Sequence, residues 1–214
     1  MKYKYILFDL DGTITESGPG IMNSVEYALN KMNREVGDRD TLKKFIGPPL
    51  TESMEKYYGM SEKEALLGVK YYREYYHDKG IYENRVYDGL EEVLKKINEA
   101  GKQAIVATSK PEKYAKIIID HFHLTQYFAC VAGMEMDGGR GTKAQVITYA
   151  LEKNDIADKS NVLMIGDREH DVIGAHENGL DCLGILYGFG SRKEFEEAGA
   201  DYIRENVEDI LQFV

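Results

Sequence analysis

Tyr5-Ile6-Leu7-Phe8-Asp9-Leu10-Asp11-Gly12-Thr13 is a short apolar run that stops in two aspartates and a glycine. A run of this length without polar alternation suits a strand buried on both faces, as in a parallel sheet. Its acidic, glycine-containing end suits the loop that such a strand feeds. Further runs share the form: 103–108 ends in Ser109-Lys110-Pro111, 162–165 in Gly166-Asp167, and 182–186 in Tyr187-Gly188. Tyr202-Ile203 is a last short candidate. Helical patterns separate them: 90–100 closing at Gly101, 112–122 opening after Pro111, 142–153, and 171–178 closing at Gly179. Strand–helix alternation from about Gly89 onward predicts an α/β fold with a doubly wound parallel sheet. Ligands of such sheets bind at the carboxyl ends of the strands, so the polar strand ends converge on one crevice.

Residues 16–84 break this rhythm. They lack convincing strands and read as helices over 21–32, 41–45, 50–58 and 61–77, with Gly47-Pro48-Pro49 as a fixed turn. The expected division is a core domain of residues 1–15 and 85–214, with 16–84 inserted as an α-helical cap. The tyrosine-rich stretch Tyr71-Tyr72-Arg73-Glu74-Tyr75-Tyr76 offers rings that could stack on a base, but its helical spacing favours residues that pack the cap helices together.

The 214 residues suffice for one sizeable core or a core with a small accessory domain, and 43% hydrophobic with 30% charged residues is ordinary for a globular chain. A formal net charge of −10 argues against a nucleic-acid surface, though not against a small anion bound through a metal ion. Cys130 and Cys182 lack zinc-type spacing and read as buried free thiols in a reducing compartment. No signal peptide and no apolar stretch of membrane-spanning length is readable, so the expected setting is cytoplasmic, without a membrane partner.

Chemistry concentrates at the strand ends. Asp9 and Asp11 stand two apart, so extended backbone points both side chains the same way. Crowded carboxylates repel unless a cation separates them, and Asp167 offers a third acidic group from another strand. Magnesium favours such oxygen-rich sites. Taken alone, an Asp-x-Asp-Gly sequence is equally a turn or a helix cap. Thr108 and Ser109 can give a hydroxyl and backbone N–H groups to an anion at a helix start, or merely cap that helix. Lys143, after Gly138-Gly139-Arg140-Gly141-Thr142, is either a solvated lysine or a cation for phosphate. Asp171, four residues after Asp167, is a helix cap or a partner of metal-bound water. The five histidines show no metal-ligand grouping, His170 alone lying in a site loop.

With Asp9-Leu10-Asp11-Gly12-Thr13, Thr108, Lys143 and Gly166-Asp167 with Asp171 in that order, the sequence resembles the haloacid dehalogenase superfamily over almost its whole length. The resemblance implies a Rossmann-like core and the α-helical cap of the phosphoglycolate phosphatase-like branch, in which Phe45–Leu50 would be the cap loop. It implies Asp9 as nucleophile on phosphorus and Asp11 as acid and base. Mg2+ would be held by Asp9, the Asp11 carbonyl and Asp167, and the phosphate by Thr108, Ser109 and Lys143. The implied activity is hydrolysis of a small phosphorylated metabolite such as phosphoglycolate, a nucleoside 5′-monophosphate or a sugar phosphate, by a monomer or weak dimer. Dehalogenases and phosphonate hydrolases lack an aspartate at the Asp11 position, which disfavours those reactions. A hexose-phosphate mutase of the same superfamily and a silent binding protein of the same fold are the competing readings.

Overall fold

The computed structural model describes residues 2–136 and 139–214, so Gly138 of the glycine-rich run lies outside the described residues. The chain divides into two compact units, Met1–Thr15 with Val86–Val214, and Glu16–Arg85. In chain order the elements are β1 (Tyr5–Phe8), β2 (Thr15–Glu16), α1 (Gly18–Lys31), α2 (Leu50–Tyr58), α3 (Glu62–Asp78) and β3 (Arg85–Val86). There follow α4 (Leu90–Glu99), β4 (Gln103–Pro111), α5 (Glu112–His121), β5 (Phe128–Met134), α6 (Lys143–Lys153) and β6 (Val162–Gly166). The chain then forms α7 (Glu169–Glu177), β7 (Asp181–Ile185), α8 (Arg192–Ala198) and β8 (Tyr202–Arg204).

The larger unit is an α/β layer structure on a six-stranded sheet of order β5-β4-β1-β6-β7-β8. Every pairing in it is parallel. This is the Rossmann-like, doubly wound core. Ile6, Leu7 and Phe8 of β1 are 0% exposed, which is why that strand is apolar throughout instead of alternating. From β1 the chain winds outward through β4 and β5, then returns to the other side of β1 for β6, β7 and β8. The winding reverses between β1 and β6, where connections leave toward opposite faces and a crevice opens at the carboxyl ends. Asp9 N–H donates to the Ile165 carbonyl at 2.9 Å, carrying the β1–β6 pairing one residue past the strand.

The inserted unit is helical. α1 and α3 pack through Ile21, Val25, Ala28 and Leu29 on one and Val69, Tyr72 and Tyr76 on the other, all buried. α3 begins with a capping box, Ser61 accepting from the Glu64 N–H while the Glu64 carboxylate accepts from Ser61. The Tyr72 and Tyr76 rings, one turn apart on one face of α3, stack at 5.2 Å and are both buried, whereas Tyr71 and Tyr75 are half-buried. Phe45 and Ile46, from the expected cap loop, are buried in the unit. Among the described residues no helix is long and apolar enough to cross a membrane.

Candidate active site

β1, β4, β6 and the first turns of α6 and α7 supply the site. Asp9 follows β1 directly. Gly12 turns the chain with φ +82°, and its N–H donates to the Thr15 carbonyl at 2.7 Å. A Cβ at Gly12 would lie 2.0 Å from Asp167 Oδ2, so only glycine lets the β1 loop pass the end of β6. Thr142 caps α6, its hydroxyl accepting from the Gln145 N–H, which fixes Lys143 as the first helical residue. Lys143 is buried, not solvated. Asp171 occupies the third position of α7, and its Oδ2 accepts from the Arg168 N–H at 3.1 Å.

Lys143 Nζ lies 2.7 Å from Asp9 Oδ1, 2.7 Å from Asp171 Oδ1 and 2.8 Å from the Ala107 carbonyl. Three acceptors therefore meet the three protons of the ammonium group. Burial opposes its charge, but Asp171 and Asp9 outweigh burial and hold its pKa above the ordinary 10.5. Burial raises the pKa of Asp9, Lys143 opposes that rise, Asp171 adds to it, and the Thr108 hydroxyl bond opposes it. Asp167 is raised well above 3.8, first by burial and then by Asp171 and Asp9, against a bond from the Phe189 N–H. Asp171 thus does two things: from the third position it closes the first turn of α7, and it pins Lys143 against the nucleophile candidate.

Carboxylate oxygens of Asp9, Asp167 and Asp171 lie within 4.8 Å of one another. They are unequal as ligands. Both Asp171 oxygens are already engaged, by Lys143 and by the Arg168 N–H. Asp167 Oδ2 accepts from the Phe189 N–H at 2.8 Å, but Oδ1 is buried with no hydrogen-bond partner. A buried orphan carboxylate oxygen beside a second carboxylate is costly unless a cation meets it. Asp9 and Asp167 fit a divalent metal; Asp171 serves beside them.

Of the residues singled out in the sequence, Asp9, Thr108, Lys143 and Asp167 come together in the larger unit. Asp11 lies beside them, with Oδ2 2.6 Å from Lys110 Nζ. Ser109 is half-buried between Thr108 and Lys110 on β4, and His170 is half-buried in the first turn of α7. The sequence reading assigned Lys110 no role, and it let Gly188-Phe189-Gly190 flank the cleft without showing that the Phe189 amide would bond Asp167. Lys110 stands next to the phosphate-binding candidates, and that adjacency was the available signal. The only signal for Phe189 was its place between two glycines, Gly188 and Gly190.

A carboxylate at the switch point of a doubly wound sheet, backed by a lysine and flanked by a second acidic strand end, fits a hydrolase that works at the carboxyl ends of the strands. The chain belongs to the haloacid dehalogenase-like hydrolase family, whose model matches residues 6–185. It is similar to a 5′-nucleotidase of Pseudomonas aeruginosa, 43% identical over 194 residues that cover 91% of this chain and 87% of that one. It is also similar to the tyrosine-protein kinase PtkA of Mycobacterium tuberculosis, 37% identical over 187 residues, 86% of this chain and 62% of PtkA. The solved structure of a predicted phosphatase from Clostridium acetobutylicum superposes with a TM-score of 0.95 at 46% identity, covering 99% of this chain and 98% of that one. The protein is a phosphatase of this family, and its relatives imply small phosphorylated substrates.

Proposed function

We propose that the protein is a Mg2+-dependent phosphomonoesterase whose first substrate class is the nucleoside 5′-monophosphates. The observation carrying the chemistry is Asp9, buried at the end of the central strand, bonded by Lys143 and with a carboxylate oxygen within 4.8 Å of one on Asp167, whose Oδ1 has no hydrogen-bond partner. The substrate class rests on the 43% identity to a 5′-nucleotidase, against 23% to a phosphoglycolate phosphatase of Vibrio parahaemolyticus.

Asp9 attacks phosphorus and the bond to the leaving oxygen breaks, leaving an aspartyl-phosphate. Asp11 gives a proton to the departing oxygen, then takes one from the water that attacks phosphorus and releases Asp9 with inorganic phosphate. Asp9 and Asp167 would hold Mg2+, which when bound supplies positive charge against the crowded oxygens. Lys143 keeps Asp9 ionised and oriented, and Thr108 with the Ser109 N–H meets the phosphate oxygens, where transition-state charge accumulates.

The test is phosphate release from p-nitrophenyl phosphate and from a panel of nucleoside monophosphates, phosphoglycolate and hexose phosphates, with Mg2+ and with EDTA. Asp9→Asn is expected to lower turnover by about three orders of magnitude or more. No Mg2+-dependent release by the parent chain on any ester would overturn the hydrolase reading. Phosphate transfer to a tyrosine side chain or between hexose hydroxyls, without release to water, would replace water as the acceptor.

A further inference from the structure

An acid that serves a leaving oxygen needs one carboxylate oxygen held and the other free. Asp11 has that form. Its Oδ2 accepts from Lys110 Nζ at 2.6 Å, with the two side chains only 12% and 6% exposed. Its Oδ1 is buried and has no hydrogen-bond partner. Lys110 has no role in the four-motif reading, where Thr108 and Ser109 carry the β4 contribution.

A break in strand register brings Lys110 to this place. Thr108 on β4 pairs with Gly133 on β5, and the next pairing is Pro111 with Met134. Ser109 and Lys110 are therefore extra residues on β4, a bulge of the kind that re-aims a side chain. Within it the Lys110 N–H donates to Thr108 Oγ1 at 3.2 Å, tying the lysine to a residue that also bonds Asp9. The facing strand has glycine at the crossing. A Cβ at Gly133 would lie 2.6 Å from the Lys110 carbonyl oxygen and 2.6 Å from Glu112 Cα. The bulge, the glycine that admits it and the buried ion pair form one device.

We propose that Lys110 is a positioning residue for Asp11, holding Oδ2 so that Oδ1 is the atom that exchanges the proton with the leaving oxygen and then with water. A proton on Asp11 sits on Oδ1, because Oδ2 already faces an ammonium group. In the first step the phosphorus–oxygen bond breaks, its electron pair goes to the leaving oxygen, and the Oδ1 proton follows. Lys110 gives up no proton and remains paired. The inference rests on the acid/base reading of Asp11.

The test is the dependence of kcat/KM on the leaving group, comparing p-nitrophenyl phosphate, which needs little protonation, with the best alkyl ester of the panel. Lys110→Met is expected to lower kcat/KM for the alkyl ester about 30- to 100-fold, while the aryl ester loses about threefold or less. Lys110→Arg should restore most of the alkyl activity. Asp11→Asn should show the same ester dependence with a larger loss. If Lys110→Met lowers both esters equally while Asp11→Asn discriminates, Lys110 is only structural and the proposal is overturned, with the role of Asp11 intact. If Asp11→Asn itself fails to discriminate, the acid/base reading falls and the proposal with it. Gly133→Ala, which keeps the lysine but crowds the bulge, is the second variant should Lys110→Met not fold. It is expected to give the same ester dependence, and equal loss on both esters would overturn the proposal.

Discussion

Lys143 is a buried cation held between two buried carboxylates. Its ammonium bridges Asp9 and Asp171, and the whole group is closed from water. Removing one member of such a buried network leaves the others uncompensated, which costs about 3–5 kcal/mol. Lys143→Met is therefore expected to lower the urea midpoint at pH 7 by that amount of stability. The deficit should narrow at a lower pH, because protonation of Asp9, whose pKa burial raises, relieves the exposed repulsion. A variant as stable as the parent at both pH values would mean that the bridge is not formed. Asp9, Thr108, Lys143 and Asp167 were legible in the sequence because each belongs to a strand end or a helix start, and chain order alone brings those ends together. Lys110 was not, because its direction is set by register against β5. The facing residue, Gly133, is 23 positions away and gives no local sign of the bulge.

Among elements, the misses have different causes. β5, Phe128-Ala129-Cys130-Val131-Ala132-Gly133-Met134, lies at the edge of the sheet with several residues only half-buried, Cys130 among them. Its small residues fit because α5 and α6 pack closely over it, a tertiary condition no local pattern announces. α7 starts at Glu169, not Asp171, because Asp171 is the third residue of a capped turn instead of its cap. α8 is short, yet Ser191-Arg192-Lys193-Glu194 carried a readable start signal, the Ser191 hydroxyl accepting from the Glu194 N–H at 3.2 Å. The turn between β7 and α8 matters for the site. It carries the Phe189 N–H to Asp167 Oδ2, and a Cβ at Gly190 would lie 2.0 Å from the Asp167 carbonyl. Gly190→Ala is expected to displace Asp167 and weaken Mg2+ binding about 10- to 100-fold by calorimetric titration of the metal-free protein. Gly179→Ala, at φ +73° with open space around it, should cost roughly 1 kcal/mol of stability and leave the Mg2+ affinity unchanged. Equal effects of the two substitutions on Mg2+ would remove the β7–α8 turn from the metal site.

At the scale of the whole molecule, a chain of net charge −10 concentrates four carboxylates around two buried lysines at the end of its central sheet. Part of the folding free energy is therefore stored as a charge imbalance that a cation relieves. Asp9 and Asp167 have folded pKa values raised above the ordinary 3.8, so between that value and the raised ones the folded state binds more protons than the unfolded state. Stability then falls as pH rises through this window in the metal-free protein. Lys143, whose pKa is also raised, adds stability that is complete below 10.5 and is lost only above it, so it contributes no slope near neutrality. Mg2+ held by Asp9 and Asp167, as proposed, would bind the deprotonated carboxylates and stabilise the folded state by mass action, more strongly where protons compete less. The thermal midpoint in EDTA is therefore expected to decline from pH 5 to pH 8, and the rise on adding millimolar Mg2+ to be larger at pH 8 than at pH 5. Asp167→Asn should flatten both trends, since it removes a raised carboxylate and the orphan oxygen together. An Mg2+ shift independent of pH in the parent chain would mean that the ion is bound elsewhere than at Asp9 and Asp167.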